Sequence, residues 1–136
     1  MKKTLDAWAI LAWMQGETPA DGKVQSILDT AASKQLDLSI NIVNIGEVYY
    51  RLAKKKSEAQ AQTFLKDLKK MPIRIVAASN ALVLKAAQLK GRYAISYADA
   101  FAAATAIKEN APLVTGDPEL KALAESKIIV LEWIRE

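Results

Sequence analysis

The sequence predicts an α/β domain built on a parallel sheet of about five strands, covered by helices on both faces. Two observations carry that prediction. Short β-like runs alternate with segments of helical periodicity along the whole chain, and strand–helix–strand repetition implies right-handed crossovers. Half of the 136 residues are hydrophobic and a quarter are charged, enough to bury a core without staples.

The elements follow in order. Lys3 to Asp6 reads as a short strand, and Ala7 to Gln15 continues as an apolar helix that ends near Gly16. After a turn at Thr18-Pro19, the residues Ala20, Val24, Ile27, Leu28 and Ala31 recur at the spacing of one helix face. Leu36 to Ile40 forms a second strand, followed by a helix with Ile45, Val48, Tyr49 and Leu52 on one side. Ser57 caps a further helix that turns Ala61, Phe64, Leu65 and Leu68 inward and its lysines outward. Pro72 ends that helix, and Ile73 to Ala77 supplies the third strand. Ser79 opens a helix that runs to Lys90, where Gly91 stops it. An alanine-rich helix runs from Ser96 to Asn110; then come a strand at Leu113 to Thr115 and a short helix at Pro118 to Ala124. Ile128 to Leu131 is the last strand. No repeat, linker or biased segment interrupts the pattern, so residues 1–136 are expected to form one domain.

Composition narrows the chemistry. The chain has no cysteine, which excludes disulfides, thiolate nucleophiles and cysteine-ligated zinc. It has no histidine, which excludes imidazole bases and imidazole metal sites. Lysine and arginine total 19 against 15 acids, a net charge of +4 that permits an anionic partner without requiring one. The apolar run after Met1-Lys2-Lys3 is interrupted by Asp6 and lacks a small-x-small cleavage site, so it does not read as a signal peptide. No stretch approaches the roughly 18 consecutive apolar residues of a membrane span. The expectation is a soluble cytoplasmic protein.

Three acids stand in apolar surroundings: Asp6, Glu47 and Asp99. A fourth, Asp117, follows Leu113-Val114-Thr115-Gly116 directly. Burying an unpaired carboxylate costs several kcal/mol, and only Glu47 has a cation at helical spacing, Arg51. Each acid also fits helix capping. Asp117 precedes Pro118, Ser96 and Asp99 have capping-box spacing, as do Asn44 and Glu47, and Asp6 fits the start of the first helix. The two readings converge, because helix starts that follow parallel strands gather at the carboxyl edge of the sheet, where ligands bind. Four like charges there repel one another unless a divalent ion is present, and an all-oxygen set suits Mg²⁺ or Mn²⁺.

Such a site serves phosphodiester chemistry by acidifying a water and stabilising the leaving oxygen. Thr115 is read either as orienting a ligand or water or as a β-branched strand residue with a satisfied hydroxyl. Asn44 is a supporting residue beside Glu47. Setting the four acids aside leaves 11 acids against 19 bases, a field suited to a polyanion. Lys54, Lys55 and Lys56 are read either as touching a nucleic-acid backbone or as a solvated helix end favoured by the dipole. Trp8, Trp13, Tyr49 and Tyr50 are expected near the site, as core or interface aromatics.

Leu5-Asp6-Ala7, Val43-Asn44-Ile45-Gly46-Glu47-Val48, Ser96-Tyr97-Ala98-Asp99-Ala100 and Thr115-Gly116-Asp117-Pro118-Glu119 resemble the signature segments of PIN-domain ribonucleases. The closer likeness is to VapC-type toxins of type II toxin–antitoxin systems, and it covers the chain in order. The resemblance implies a parallel five-stranded sheet of order 3-2-1-4-5 flanked by helices. It implies a metal-dependent endoribonuclease with Asp6, Glu47, Asp99 and Asp117 as catalytic and metal-holding residues. It also implies a homodimer inhibited by a small antitoxin whose C-terminal segment lies across the site. Many relatives carry a small hydroxyl or amide residue two positions after the first aspartate, where this chain has Trp8.

The first functional reading is therefore a Mg²⁺- or Mn²⁺-dependent endoribonuclease toxin. The alternative is a catalytically silent protein of the same fold that binds RNA or a partner. A phosphatase ranks third, since Asp6-Ala7-Trp8-Ala9-Ile10 lacks the Asp-x-Asp-x-Thr pattern of one such group.

Overall fold

A computed structural model describes residues 1–136. The chain order is β1 (Lys2–Leu5), α1 (Ala7–Gln15), α2 (Ala20–Ala32), β2 (Asp37–Asn41), α3 (Ile42–Lys55), α4 (Glu58–Leu68), β3 (Arg74–Val76), α5 (Asn80–Arg92), α6 (Tyr97–Glu109), β4 (Leu113–Thr115), a 3-10 turn (Pro118–Leu120), α7 (Lys121–Glu125) and β5 (Leu131–Trp133). All strand pairs are parallel and the sheet order is β3-β2-β1-β4-β5, as the resemblance implied.

Helices cover both faces of the sheet. Leu5, Leu38, Ile40 and Val114 pack with α1 to α4 in one cluster, while Val76 and Leu113 pack with α5 to α7 in another. Neighbours such as Leu113 and Val114 serve opposite layers because successive strand side chains alternate in direction. Between the central strands, Thr4 and Ser39 lie opposite each other and share a buried hydrogen bond of 3.0 Å.

The carboxyl edge of the sheet is a row of helix starts. Asp6 caps α1, Asn41 caps α3 and Asp117 caps the 3-10 turn, Asn41 as the last residue of β2 and the two aspartates just after β1 and β4. Ser96 caps α6, whose Ala100, Ala102, Ala103, Ala104 and Ala106 are all buried. Small side chains let α6 lie close against the sheet and α5, bringing its first turn to the same edge.

Several boundaries differ from the sequence reading. The apolar run Ile128 to Leu131 does not form the last strand: Ile128 N–H donates to Leu123 C=O, closing the end of α7, and Ile129 fills the α5–α7 core. Pairing with β4 starts only at Leu131. Gly91 does not stop α5, which runs through it in right-handed geometry to Arg92. Gly16 does end α1, in the left-handed conformation at φ 67°. The Pro118 to Ala124 segment divides into a 3-10 turn and α7 rather than one helix. Asn44 and Glu47 do not form a capping box, because α3 starts earlier with Asn41 accepting from Val43 N–H at 2.9 Å.

The depth at which α6 packs makes its alanines sensitive to added volume. Ala103→Leu is expected to lower stability by about 1–3 kcal/mol in urea unfolding. Ala59→Leu, on the exposed face of α4, is expected to change it by less than about 0.5 kcal/mol.

Candidate functional site

The residue after β1 is held from two directions. Asp6 Oδ1 accepts from Ala9 N–H at 2.8 Å, and Oδ2 accepts from the Thr115 hydroxyl. Thr115 Oγ1 in turn accepts from Asp117 N–H at 2.9 Å. The Thr115 hydroxyl thus donates once and accepts once, orienting Asp6 and the Asp117 turn. Asp6 is therefore a helix cap, close enough to Asp117 and Glu47 for their charges to act on its carboxyl.

Asp99 projects from the first turn of α6, with its N–H donating to Ser96 Oγ at 3.1 Å. The residue is only 6% exposed, yet its Oδ2 has no hydrogen-bond partner. Asp117 accepts from Glu119 N–H at 3.0 Å across the 3-10 turn. Carboxylate oxygens of Asp99, Asp117 and Glu119 lie within 4.8 Å of one another, a spacing that suits a shared cation. Glu119 was not among the residues expected from sequence. It looks like an ordinary exposed acid in the first turn after Pro118, and its only signal is its place two residues after Asp117, at the end of the Thr115-to-Glu119 segment.

The charges within this group are poorly compensated. Glu47, on α3, pairs with Arg51 at 2.8 Å, but Asp6, Asp99 and Asp117 make no ion pair. Burial pushes the Asp6 carboxyl up to about 7, with the Asp117 and Glu47 charges adding to the effect and the Thr115 and Ala9 hydrogen bonds opposing it. Burial and the nearby Asp117 and Asp6 carboxylates raise Asp99 as well.

A cleft of about 740 Å³ opens onto these acids, and Glu47, Asp99 and Asp117 line it beside Trp8, Arg51, Lys55 and Lys56. Asp6 is fixed behind that surface. The lysine run divides: Lys55 and Lys56 face the cleft, whereas Lys54 places its ammonium 5.6 Å from the centre of the Tyr50 ring. Asn44 is fully buried and does not reach the cleft; its Nδ2 donates to Ala98 C=O at 2.9 Å, docking the helix of Glu47 onto the helix of Asp99. The Trp13 indole donates to Gln25 and the Tyr49 hydroxyl accepts from Gln62, so both polar ends point to surface partners.

Trp8 forms a wall of this cleft and leaves no room for a side chain at position 116. A Cβ added to Gly116 would lie 2.4 Å from two Trp8 ring atoms. The Arg135 guanidinium stands 5.6 Å from the Trp8 ring centre, in range of a cation–π contact.

Two measurements follow from this geometry. Gly116→Ala is expected to cost about 1–3 kcal/mol of stability, most of it recovered in the Gly116→Ala, Trp8→Ala double variant relative to Trp8→Ala alone. The second concerns pH. The folded state holds the Asp6 proton more tightly than the unfolded chain does, so this contribution to stability is complete below about 4 and lost as pH rises through about 7. In EDTA, the Tm is expected to fall between pH 5 and pH 8, and Asp6→Asn to flatten that fall.

The comparisons with known proteins agree with this architecture. The family model of the PIN domain matches residues 3–126. No curated protein matches the sequence significantly. Among solved structures, VapBC2 from Rickettsia felis, bound to a DNA fragment from its promoter, is similar with a TM-score of 0.73 and 22% identity, covering 99% of this chain and all of that one. VapC20 from Mycobacterium tuberculosis, described as a sarcin-ricin loop cleaving toxin, has a TM-score of 0.72 at 16% identity, with coverage of 88% and 93%. VapBC-1 from nontypeable Haemophilus influenzae has a TM-score of 0.72 at 15% identity over the full length of both chains. At these identities the structural likeness speaks for the fold, and the family model speaks for descent: the chain belongs to the PIN domain family.

Proposed function

We propose that this protein is a divalent-metal-dependent endoribonuclease, the toxin of a toxin–antitoxin pair. The observation that carries the reading is the Asp99 carboxyl, buried with an unpartnered Oδ2 beside Asp6 and Asp117, which likewise make no ion pair. The donor set is all carboxylate oxygen, which fits Mg²⁺ or Mn²⁺. Asp99, Asp117 and Glu47 would hold the ion, with Asp6 completing the set. Bound there, a divalent ion would neutralise the acids, acidify a water for attack on phosphorus and stabilise the leaving oxygen.

The chain's own groups prepare the site. Thr115 and the Ala9 N–H hold the Asp6 carboxylate in one orientation, and Asn44 fixes the approach of α3 to α6. Arg51 restrains Glu47, and Lys55 and Lys56 supply positive charge at the cleft for an RNA backbone. Hydrolysis by water at this site gives products with 5′-phosphate and 3′-hydroxyl ends.

Toxin–antitoxin complexes among the similar structures support an antitoxin partner. An apolar groove of about 610 Å³ lined by Trp13, Met14, Leu52, Phe64 and Met71 adjoins the cleft, with Met14 and Leu52 shared by both. It would take apolar side chains of an antitoxin segment that presents a basic residue to the acids. A homodimer belongs to the same reading. No helix is long and apolar enough to cross a membrane. Action in the cytoplasm belongs to the same proposal.

The test is cleavage of a structured RNA by purified protein with Mg²⁺ or Mn²⁺, with and without EDTA. Asp6→Asn and Asp99→Asn are each expected to lower the rate by about a hundredfold or more. Cleavage that is unchanged in EDTA or in both variants would sink the proposal. Tight, salt-sensitive RNA binding without cleavage under either metal would favour the silent binding protein instead.

A further inference from the structure

The start of α6 is a capping box with one partner exchanged. In the usual arrangement the N-cap hydroxyl accepts from the N–H three residues on, and a glutamate at that third position reaches back to the N-cap's own N–H. The first bond is present here, from Asp99 N–H to Ser96 Oγ at 3.1 Å. The second is made by a residue from another part of the chain: Ser96 N–H donates to Glu119 Oε2 at 3.0 Å, from the 3-10 turn after β4. Asp99, which occupies the third position, keeps a buried Oδ2 with no partner.

We infer that Glu119 is a positioning residue, which takes over the reverse capping bond at Ser96 and so leaves the Asp99 carboxylate free to face a cation. This inference rests on the metal-site reading above. The arrangement works against simple electrostatics, since it holds the Glu119 carboxylate within 4.8 Å of those of Asp99 and Asp117. The bond from Ser96 N–H and the positive end of the α6 dipole offset that repulsion. A glutamate with no such task on an exposed turn would gain by swinging into solvent. The bond also ties the Asp117 turn to the start of α6, so one contact sets the spacing of two acids supplied by different elements.

A metal ligand and a positioning acceptor respond differently to an amide. Glutamine keeps an oxygen that can accept from Ser96 N–H but lacks a carboxylate, whereas alanine lacks both. The experiment measures Mn²⁺ affinity by calorimetry and Ser96 amide hydrogen exchange by NMR in wild type, Glu119→Gln and Glu119→Ala. Glu119→Ala is expected to weaken Mn²⁺ binding about tenfold and to speed Ser96 exchange in metal-free protein. Glu119→Gln is expected to keep Ser96 exchange near wild type and Mn²⁺ affinity within about threefold. Equal loss of Mn²⁺ affinity in both variants would overturn the inference and make Glu119 a ligand. Unchanged Ser96 exchange in Glu119→Ala would overturn it as well. Wild-type protein that binds no Mn²⁺ would overturn the metal reading itself, and this inference with it.

Discussion

Three carboxyls collected at one edge of the sheet, with no ion pair for any of them, are the constraint on which the rest of this structure depends. Asp6 and Asp99 are buried, Asp117 is half-buried, and none of the three makes an ion pair. Natural folds rarely keep such groups unless something outside the chain balances them. Burial and the neighbouring carboxylates push the Asp6 and Asp99 carboxyls well above the ordinary aspartate range.

The fold answers this constraint with backbone dipoles and hydrogen bonds rather than with counter-charges. Parallel strands deliver successive helix starts to the same edge, where N–H groups favour negative charge. The Thr115 hydroxyl couples Asp6 on one side to the Asp117 backbone on the other, across the β1–β4 pair. Asn44 and Glu119 dock the start of α6 from opposite flanks, through Ala98 C=O and Ser96 N–H. Each of these contacts spans distant sequence, so the spacing of the acids is a property of the tertiary fold rather than of any one segment. The Trp8 ring, packed so close that position 116 has no room for a side chain, adds an aromatic wall to the cleft.

How much of this was legible in the sequence differs by residue. Asp6, Glu47 and Asp99 stand out because they interrupt apolar runs, and a buried acid is conspicuous in one dimension as in three. The sheet order was implied by resemblance, since strand–helix alternation fixes parallel pairing but not the order of neighbours. Periodicity misplaced β5 because Ile129 is apolar for the sake of the α5–α7 core while Ile128 and Val130 are apolar but exposed, and hydrophobicity alone does not separate these cases from strand pairing. Gly91 was read as a stop although nothing there requires a left-handed residue. The role of Asn44 was hidden because its partner lies 54 residues away. Glu119 was missed for a related reason: an exposed acid near a helix start has a sufficient local explanation, and only the fold brings Ser96 to it.

The central claim is that the acidic edge is destabilising by itself and is made stable by a divalent cation. Thermal unfolding of wild type and Asp99→Asn at pH 8, each with EDTA or with Mn²⁺, tests it most directly. The account predicts a reversal of order: the variant melts higher in EDTA, because the folded protein no longer has to hold a carboxyl protonated that the unfolded chain ionises, and wild type melts higher in Mn²⁺. A wild-type Tm that Mn²⁺ leaves unchanged, or an Asp99→Asn variant that melts lower than wild type in EDTA, would contradict it.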